Sequence, residues 1–370
     1  MSTFQKLGIS KDFIKGLNEL GIVEPTQIQN ETIPILLDKP TDFIGIAPTG
    51  TGKTAAYGLP ILQQIDIENK VIQALILSPT RELAQQIKKQ LFKFTKYIDG
   101  KIFTEEVYGG EKINIQISNL KRPTHIVVAT PGRLLDLIER EALNLKHVNT
   151  LVLDEADEML SMGFKEDLDK ILKYTGQTKN TWLFSATMPA ELNQLIKKYM
   201  SNKAIKIEPN KNLVNTNITH QYINTSLKDK DDALIQLLDG RKQERGIIFT
   251  RTKAGAQKLT KTLKEEGFSV EALEGNMQQR DREKVMRGFK KGITQYLVST
   301  DVSARGIDVN NLAFVIHYQL PETLAYYTHR SGRTARGGKS GVSIALILPQ
   351  EITQIKELEK ELGITFVEKK

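Results

Sequence analysis

A chain of 370 residues with 39% apolar and 26% charged content, no cysteine and a net charge of +8 exceeds one ordinary core and predicts two globular domains. The absent thiols exclude disulfides, cysteine zinc sites and thiol chemistry and point to a reduced cytoplasm, and no apolar run approaches the roughly 18 residues of a membrane span, nor does the N-terminus read as an export signal. The charge is lopsided, +1 over residues 1–210 and +7 over 211–370, which suits a polyanionic partner without requiring one.

In chain order, residues 43–46, 74–77, 126–128, 151–153 and 182–184 are short, unbroken apolar runs, the pattern of buried strands in a parallel sheet. Between two of them Leu83, Ile87, Leu91 and Phe94 recur at helical spacing, so the unit is strand, helix, strand. Residues 209–217 are polar, include a proline at their start and show no period, which marks a linker. The pattern restarts with strands at 246–249, 296–298, 313–316 and 343–347, and residues 351–370 read as one charged helix and a short tail. The expected fold is α/β, two tandem sheets, with domains at 1–208 and 218–370 joined by 209–217.

Ala47-Pro48-Thr49-Gly50-Thr51-Gly52-Lys53-Thr54 follows a strand and opens a helical stretch. Backbone N–H groups there can cradle phosphate, Lys53 supplies charge to the outer phosphates, and the Thr54 hydroxyl reaches Mg²⁺. Some hundred residues later another strand delivers Asp154-Glu155-Ala156-Asp157. Adjacent carboxylates at the end of a buried strand need a positive partner, which the magnesium of ATP provides. Asp154 would orient that ion and Glu155 would act as general base on the attacking water. Taken alone, the acidic run would equally suit a solvated turn.

In the second half, His329-Arg330-Ser331-Gly332-Arg333-Thr334-Ala335-Arg336 sets arginines three apart. Facing the first domain, Arg333 and Arg336 would stabilise charge on the γ-phosphate; from spacing alone they are equally a basic surface patch. His329 by itself is more often structural than catalytic.

The chain resembles the DEAD-box RNA helicases over essentially its whole length, and residues 154–157 spell the family's name. The resemblance implies two RecA-like domains, each a mostly parallel sheet flanked by helices. Residues 21–29 look like the adenine-reading Q motif, in which Gln29 hydrogen-bonds the base, with Phe4 where the family stacks an aromatic; Thr49, Gly50, Thr51, Gly52, Lys53 and Thr54 would hold the phosphates, and Gly306 and Asp308 would contact the nucleotide from the second domain. It further implies RNA-backbone contacts by Pro79, Thr80, Arg81, Gly110, Thr130 and Arg133 in the first half and by Arg251, Gln279, Arg282 and Thr300 in the second. Asp157, Ser185, Thr187, His329 and Arg330 would couple hydrolysis to strand separation. Three positions depart from the family pattern, Glu274, Ser331 and Ala335.

Threonine hydroxyls, arginines and glycine N–H groups recognise phosphates without reading bases, so RNA binding independent of sequence is expected; the preference for RNA over DNA comes from the resemblance. The expected activity is ATP-dependent unwinding of short RNA duplexes by a cytoplasmic monomer using ATP and Mg²⁺. An ATP-gated RNA clamp that unwinds little uses the same motifs, and a DNA helicase of the wider superfamily is a third reading.

Overall fold

In the computed structural model, residues 3–175, 180–209, 215–304, 312–335 and 339–369 are described. The chain divides into two compact units, residues 1–47 and 51–211 in the first and residues 48–50 and 212–370 in the second. Gly306, Asp308 and Arg336 among the expected site residues, and residues 210–214 of the expected linker, lie outside the described residues.

The first unit holds strands β1 (Phe43–Ile46), β2 (Ala74–Leu77), β3 (Thr104–Val107), β4 (Ile126–Ala129), β5 (Thr150–Leu153), β6 (Asn180–Ser185) and β7 (Ile205–Ile207). They form one parallel sheet in the order β3-β4-β2-β5-β6-β1-β7. Alternate residues serve opposite faces, so two cores form. Ile76, Val128, Val152 and Phe184 pack on one side, and Leu75, Leu77, Val127, Leu153 and Leu183 on the other. Helices covering both faces explain why these strands read as continuous apolar runs.

The second unit holds β8 (Ile218–Asn224), β9 (Gly246–Phe249), β10 (Val270–Leu273), β11 (Tyr296–Ser299), β12 (Phe314–His317), β13 (Gly341–Ile347) and β14 (Phe366–Glu368). These also lie parallel, in the order β10-β11-β9-β12-β13-β8-β14. The C-terminal segment differs from its sequence reading: after the helix Ile352–Leu362, Phe366–Glu368 pairs with β8 as the sheet's last strand. Among the described residues no helix is long and apolar enough to cross a membrane.

Candidate functional site

β1 ends at Ile46, and the phosphate loop carries the chain into the helix Lys53–Gln64. Gly50 and Gly52 sit at φ 80° and 90°, the left-handed region that a side chain disfavours. At Gly52 space adds a second reason, because a Cβ there would lie 2.3 Å from Gln29 Nε2. The Gln29 amide fastens the Q segment to this loop, donating to the Gly52 carbonyl at 3.0 Å while its Oε1 accepts the Thr26 N–H at 2.9 Å. Lys53 Nζ donates to the Ala47 carbonyl at 2.6 Å, which folds the ammonium back over the loop. Phe4 is 2% exposed and belongs to the first core.

β5 brings Asp154 and Glu155 to the same end of the sheet. Asp154 Oδ1 accepts the Glu155 N–H at 3.0 Å, and Oδ2 accepts the Tyr57 hydroxyl at 2.8 Å. Burial and the neighbouring Glu155 charge push the Asp154 carboxyl up to about 6, opposed by Lys53 and by the Tyr57 hydrogen bond. Burial and the Asp154 charge in turn hold the Tyr57 phenol well above its ordinary range, opposed by the Thr54 side chain three residues before it. Tyr57 was not anticipated from sequence; a tyrosine one helical turn beyond Lys53 in an otherwise apolar stretch is the signal that could have revealed it.

Glu155 adopts φ 51° and ψ 51°, rare for a residue with a side chain and strained by about 1–3 kcal/mol. Its Oε2 is buried with no hydrogen-bond partner among the described residues. A carboxylate pair, Asp154 buried and Glu155 partly so, with one buried oxygen unpartnered among the described residues and with Lys53 and Thr54 opening the adjoining helix, is a donor set that fits a divalent cation and a polarised water.

Asp157 joins the third acidic position to β6. Its Oδ2 accepts both the N–H and the hydroxyl of Thr187, at 2.8 and 2.7 Å, its own N–H approaches Ser185 Oγ at 3.3 Å, and Ser185 Oγ donates to the Thr187 carbonyl. Asp157, Ser185 and Thr187 are thus brought together in one unit.

The first unit also gathers its expected RNA contacts, which follow β2, β3 and β4. Thr80 caps the helix Arg81–Phe94 through Leu83 N–H at 3.3 Å. The Arg81 guanidinium lies 4.6 Å from the centre of the Tyr108 ring, and the ring's hydroxyl accepts from Gln85. Arg133 donates to Gln116 Oε1 at 2.9 Å and to the Glu111 carbonyl, and Gln116 Nε2 donates to the Tyr108 carbonyl. Tyr108 and Gln116 therefore link Arg81 to Arg133, a pairing that sequence reasoning missed. Gly110 completes the cluster at φ 85°, and Thr130 opens the helix Pro131–Glu139. Pro79 immediately precedes the Thr80 cap.

In the second unit, Arg251 is exposed, with its backbone N–H on Gln319 and its Nε on the Leu320 carbonyl. Arg282 donates to the Ser303 carbonyl at 2.7 Å, and Thr300 to Ser303 Oγ at 3.1 Å, so these two meet at the short helix Asp301–Ala304; Gln279 points along its own helix to Glu283. Arg330 is 1% exposed and holds Asp301 with Nε and Nη2 at 2.5 and 2.7 Å. Arg333 Nε donates to the His329 carbonyl at 3.2 Å.

The three departures acquire physical reasons. Glu274 turns inward, accepting from Gln257 Nε2 and the Asn276 N–H, and so braces the turn after β10. Ser331 joins a buried polar chain in which Ser343 Oγ lies about 3 Å from Ser331 Oγ, His317 Nε2 and the Tyr327 hydroxyl, and Tyr327 meets His220 Nδ1 at 2.6 Å. Ala335 occupies φ 55°, a conformation glycine adopts at less cost, and its carbonyl accepts from Asn215 Nδ2 at 2.9 Å.

Two parallel sheets in tandem, the first with a phosphate loop and paired carboxylates at adjoining strand ends, define a phosphate-loop nucleotide hydrolase built from two RecA-like units. Residues 26–195 match the DEAD/DEAH box helicase family and residues 229–338 the helicase conserved C-terminal domain. The chain is 41% identical to the DEAD-box ATP-dependent RNA helicase CshA of Geobacillus kaustophilus over 97% of this chain and 76% of that one. The identity with CshA of Bacillus licheniformis is 42%, over 97% and 73%. Among solved structures, S. cerevisiae Dbp5 bound to RNA and ADP BeF3 is similar at TM-score 0.91 with 32% identity, covering 100% of this chain and 96% of that one. Mss116p bound to ssRNA and AMP-PNP is similar at 0.89 with 30% identity, covering 100% and 80%. The chain belongs to the DEAD-box ATP-dependent RNA helicases.

Proposed function

We propose that this protein is an RNA-stimulated ATPase that locally unwinds short RNA duplexes in the cytoplasm. The observation that carries this reading is the convergence of Lys53, Thr54, Asp154 and Glu155 around β1 and β5, in the same unit that gathers Arg81, Gly110 and Arg133 beyond β2, β3 and β4. Gln29 recognises the base, with Phe4 as the apolar wall beside it, and Thr49 through Gly52 wrap the phosphates with backbone N–H groups. Lys53 neutralises the outer phosphates. Thr54 and Asp154 would hold Mg²⁺, which when bound offsets the charge of the triphosphate. Glu155, whose Oε2 has no hydrogen-bond partner among the described residues, accepts a proton from the attacking water. Arg333 and Arg336 are assigned to the charge that grows on the transferred phosphate.

Arg81, Gly110, Thr130 and Arg133, with Arg251, Arg282 and Thr300, hold the RNA backbone without reading its sequence. Asp157, Ser185 and Thr187 connect the acidic loop to β6, so a change at the nucleotide is felt beside the neighbouring strand. ATP and RNA then assist one another's binding by the same factor. The test is strand displacement of a short RNA duplex together with ATPase assays: unwinding with ATP, and hydrolysis stimulated by RNA but not DNA, are expected. Binding with ATP but no strand release would replace the helicase with an RNA clamp, and equal stimulation by DNA would overturn the choice of RNA.

A further inference from the structure

The Tyr57 hydroxyl has no part in phosphate binding or hydrolysis as described above, yet it is fully buried beside the acidic loop. It lies four residues beyond Lys53 on the helix that the phosphate loop opens, and so on the helix face that Lys53 occupies. Its ring packs against Phe184 of β6, with centres 5.2 Å apart, which fixes where the hydroxyl can point. That point is Asp154 Oδ2, at 2.8 Å, while the other carboxylate oxygen is occupied by the Glu155 N–H. Both Asp154 oxygens are thereby set in direction before any ligand arrives.

We propose that Tyr57 is a positioning residue for magnesium, a single hydroxyl that ties the Asp154 carboxylate to the phosphate-loop helix so that it presents a fixed oxygen to the cation. It rests on the assignment of Asp154 to Mg²⁺ above. Groups that orient metal ligands commonly change affinity by about 10- to 100-fold when removed. At a site completed by nucleotide oxygens and water, the lower end of that range is expected.

Tyr57→Phe removes the hydroxyl and leaves the ring against Phe184, so the fold survives, as its melting temperature will check. Binding of a fluorescent ATP derivative to the full chain is followed in EDTA and across a Mg²⁺ titration, without turnover. The Mg²⁺ midpoint should rise about 10-fold, with affinity in EDTA within about twofold of the parent. Adding Tyr57→Phe to Asp154→Asn should move the midpoint no further, because the hydroxyl acts through the carboxylate. A midpoint unchanged by Tyr57→Phe, when Asp154→Asn does shift it, overturns the role of Tyr57 alone. Asp154→Asn leaving the midpoint untouched overturns the metal assignment and the inference with it. An undiminished Tyr57→Phe effect in the Asp154→Asn background also overturns it, since the hydroxyl would then act by another route.

Discussion

The two units have the same sheet. Matched strand for strand, β8 to β14 follow the order of β1 to β7 without exception, yet the ends of equivalent strands carry different chemistry. β1 runs into the phosphate loop, whereas its counterpart β8 runs into Thr225 and Ser226 with no Gly-Lys-Thr. β5 delivers Asp154 and Glu155; β12 delivers His317 and Tyr318. The ends of β2, β3 and β4 share residue types with those of β9, β10 and β11. Counted from the strand ends, Thr80-Arg81 after β2 corresponds to Thr252-Lys253 after β9, with Arg251 in the place of Pro79; Gly109 after β3 corresponds to Gly275 after β10, and Thr130 after β4 to Thr300 after β11. Even the helix starts correspond, with Thr80 and Thr252 each capping a following N–H. The lesson is that residue types expected to meet a phosphate backbone recur in both units, whereas the Gly-Lys-Thr loop and the Asp154-Glu155 pair stand in the first, at the carboxyl ends where open α/β sheets place ligands.

That asymmetry is open to three tests. The largest effect falls on Glu155. Glu155→Gln should lower ATP turnover by about 10²- to 10⁴-fold while nucleotide and RNA binding persist, as phosphate release and equilibrium titrations will measure. Parental turnover would mean that the base lies elsewhere and that hydrolysis is not confined to the first unit's acidic loop.

Next in size is the response to acid. In the second unit burial holds His220 down to about 4 and His317 well below its usual value, the latter helped by Arg330. Unfolding returns both to about 6.5, so the unfolded state takes up protons first. Their stabilisation is complete above that value and is lost as pH falls towards 4, on the order of 3 kcal/mol from His220. Asp154 has the opposite sign, because its folded value is raised to about 6; acidification through that range strengthens the first unit. Hydrogen exchange resolved by peptide should show the second unit losing protection between pH 6.5 and 4 while the first loses less, and His220→Gln should flatten the slope. Parallel loss in both units would break the distinction.

The smallest effect tests the duplication itself. Arg81→Ala and Arg251→Ala each remove a charged contact worth about 1.5–3 kcal/mol, so RNA affinity should fall roughly tenfold or more in both. The salt dependence of binding should also lose about 0.7–1 from its slope in each case. A change in only one would show that the correspondence of β2 and β9 is architectural and not functional.

The central strands were legible because burial on both faces leaves an unbroken apolar run, as in Leu151, Val152 and Leu153. The strands missed were those in which polar residues interrupt the signal. Thr104–Val107 and Ile205–Ile207 border the first sheet and are only partly buried, and Val270–Leu273 borders the second in the same way. Ile218–Asn224 is mixed in character although it is paired on both sides, with His220 serving the buried polar chain. In the site, groups that act by their own charge or backbone freedom could be read from local order. Those that act by holding others could not: Tyr57, Tyr108, Gln116 and Asn215 meet their partners only across tertiary contacts. Ala335 shows a further limit, since its substitution for glycine is visible in sequence but its left-handed backbone is not.

The chain's sole tryptophan, Trp182, is 2% exposed on β6 and donates its indole N–H to the Thr41 carbonyl at 3.1 Å. Indole emission, excited at wavelengths tyrosine does not absorb, therefore reports one half of the molecule and is blind to the other. Comparing its melting curve with a whole-chain far-ultraviolet signal separates the two unfolding events without any label.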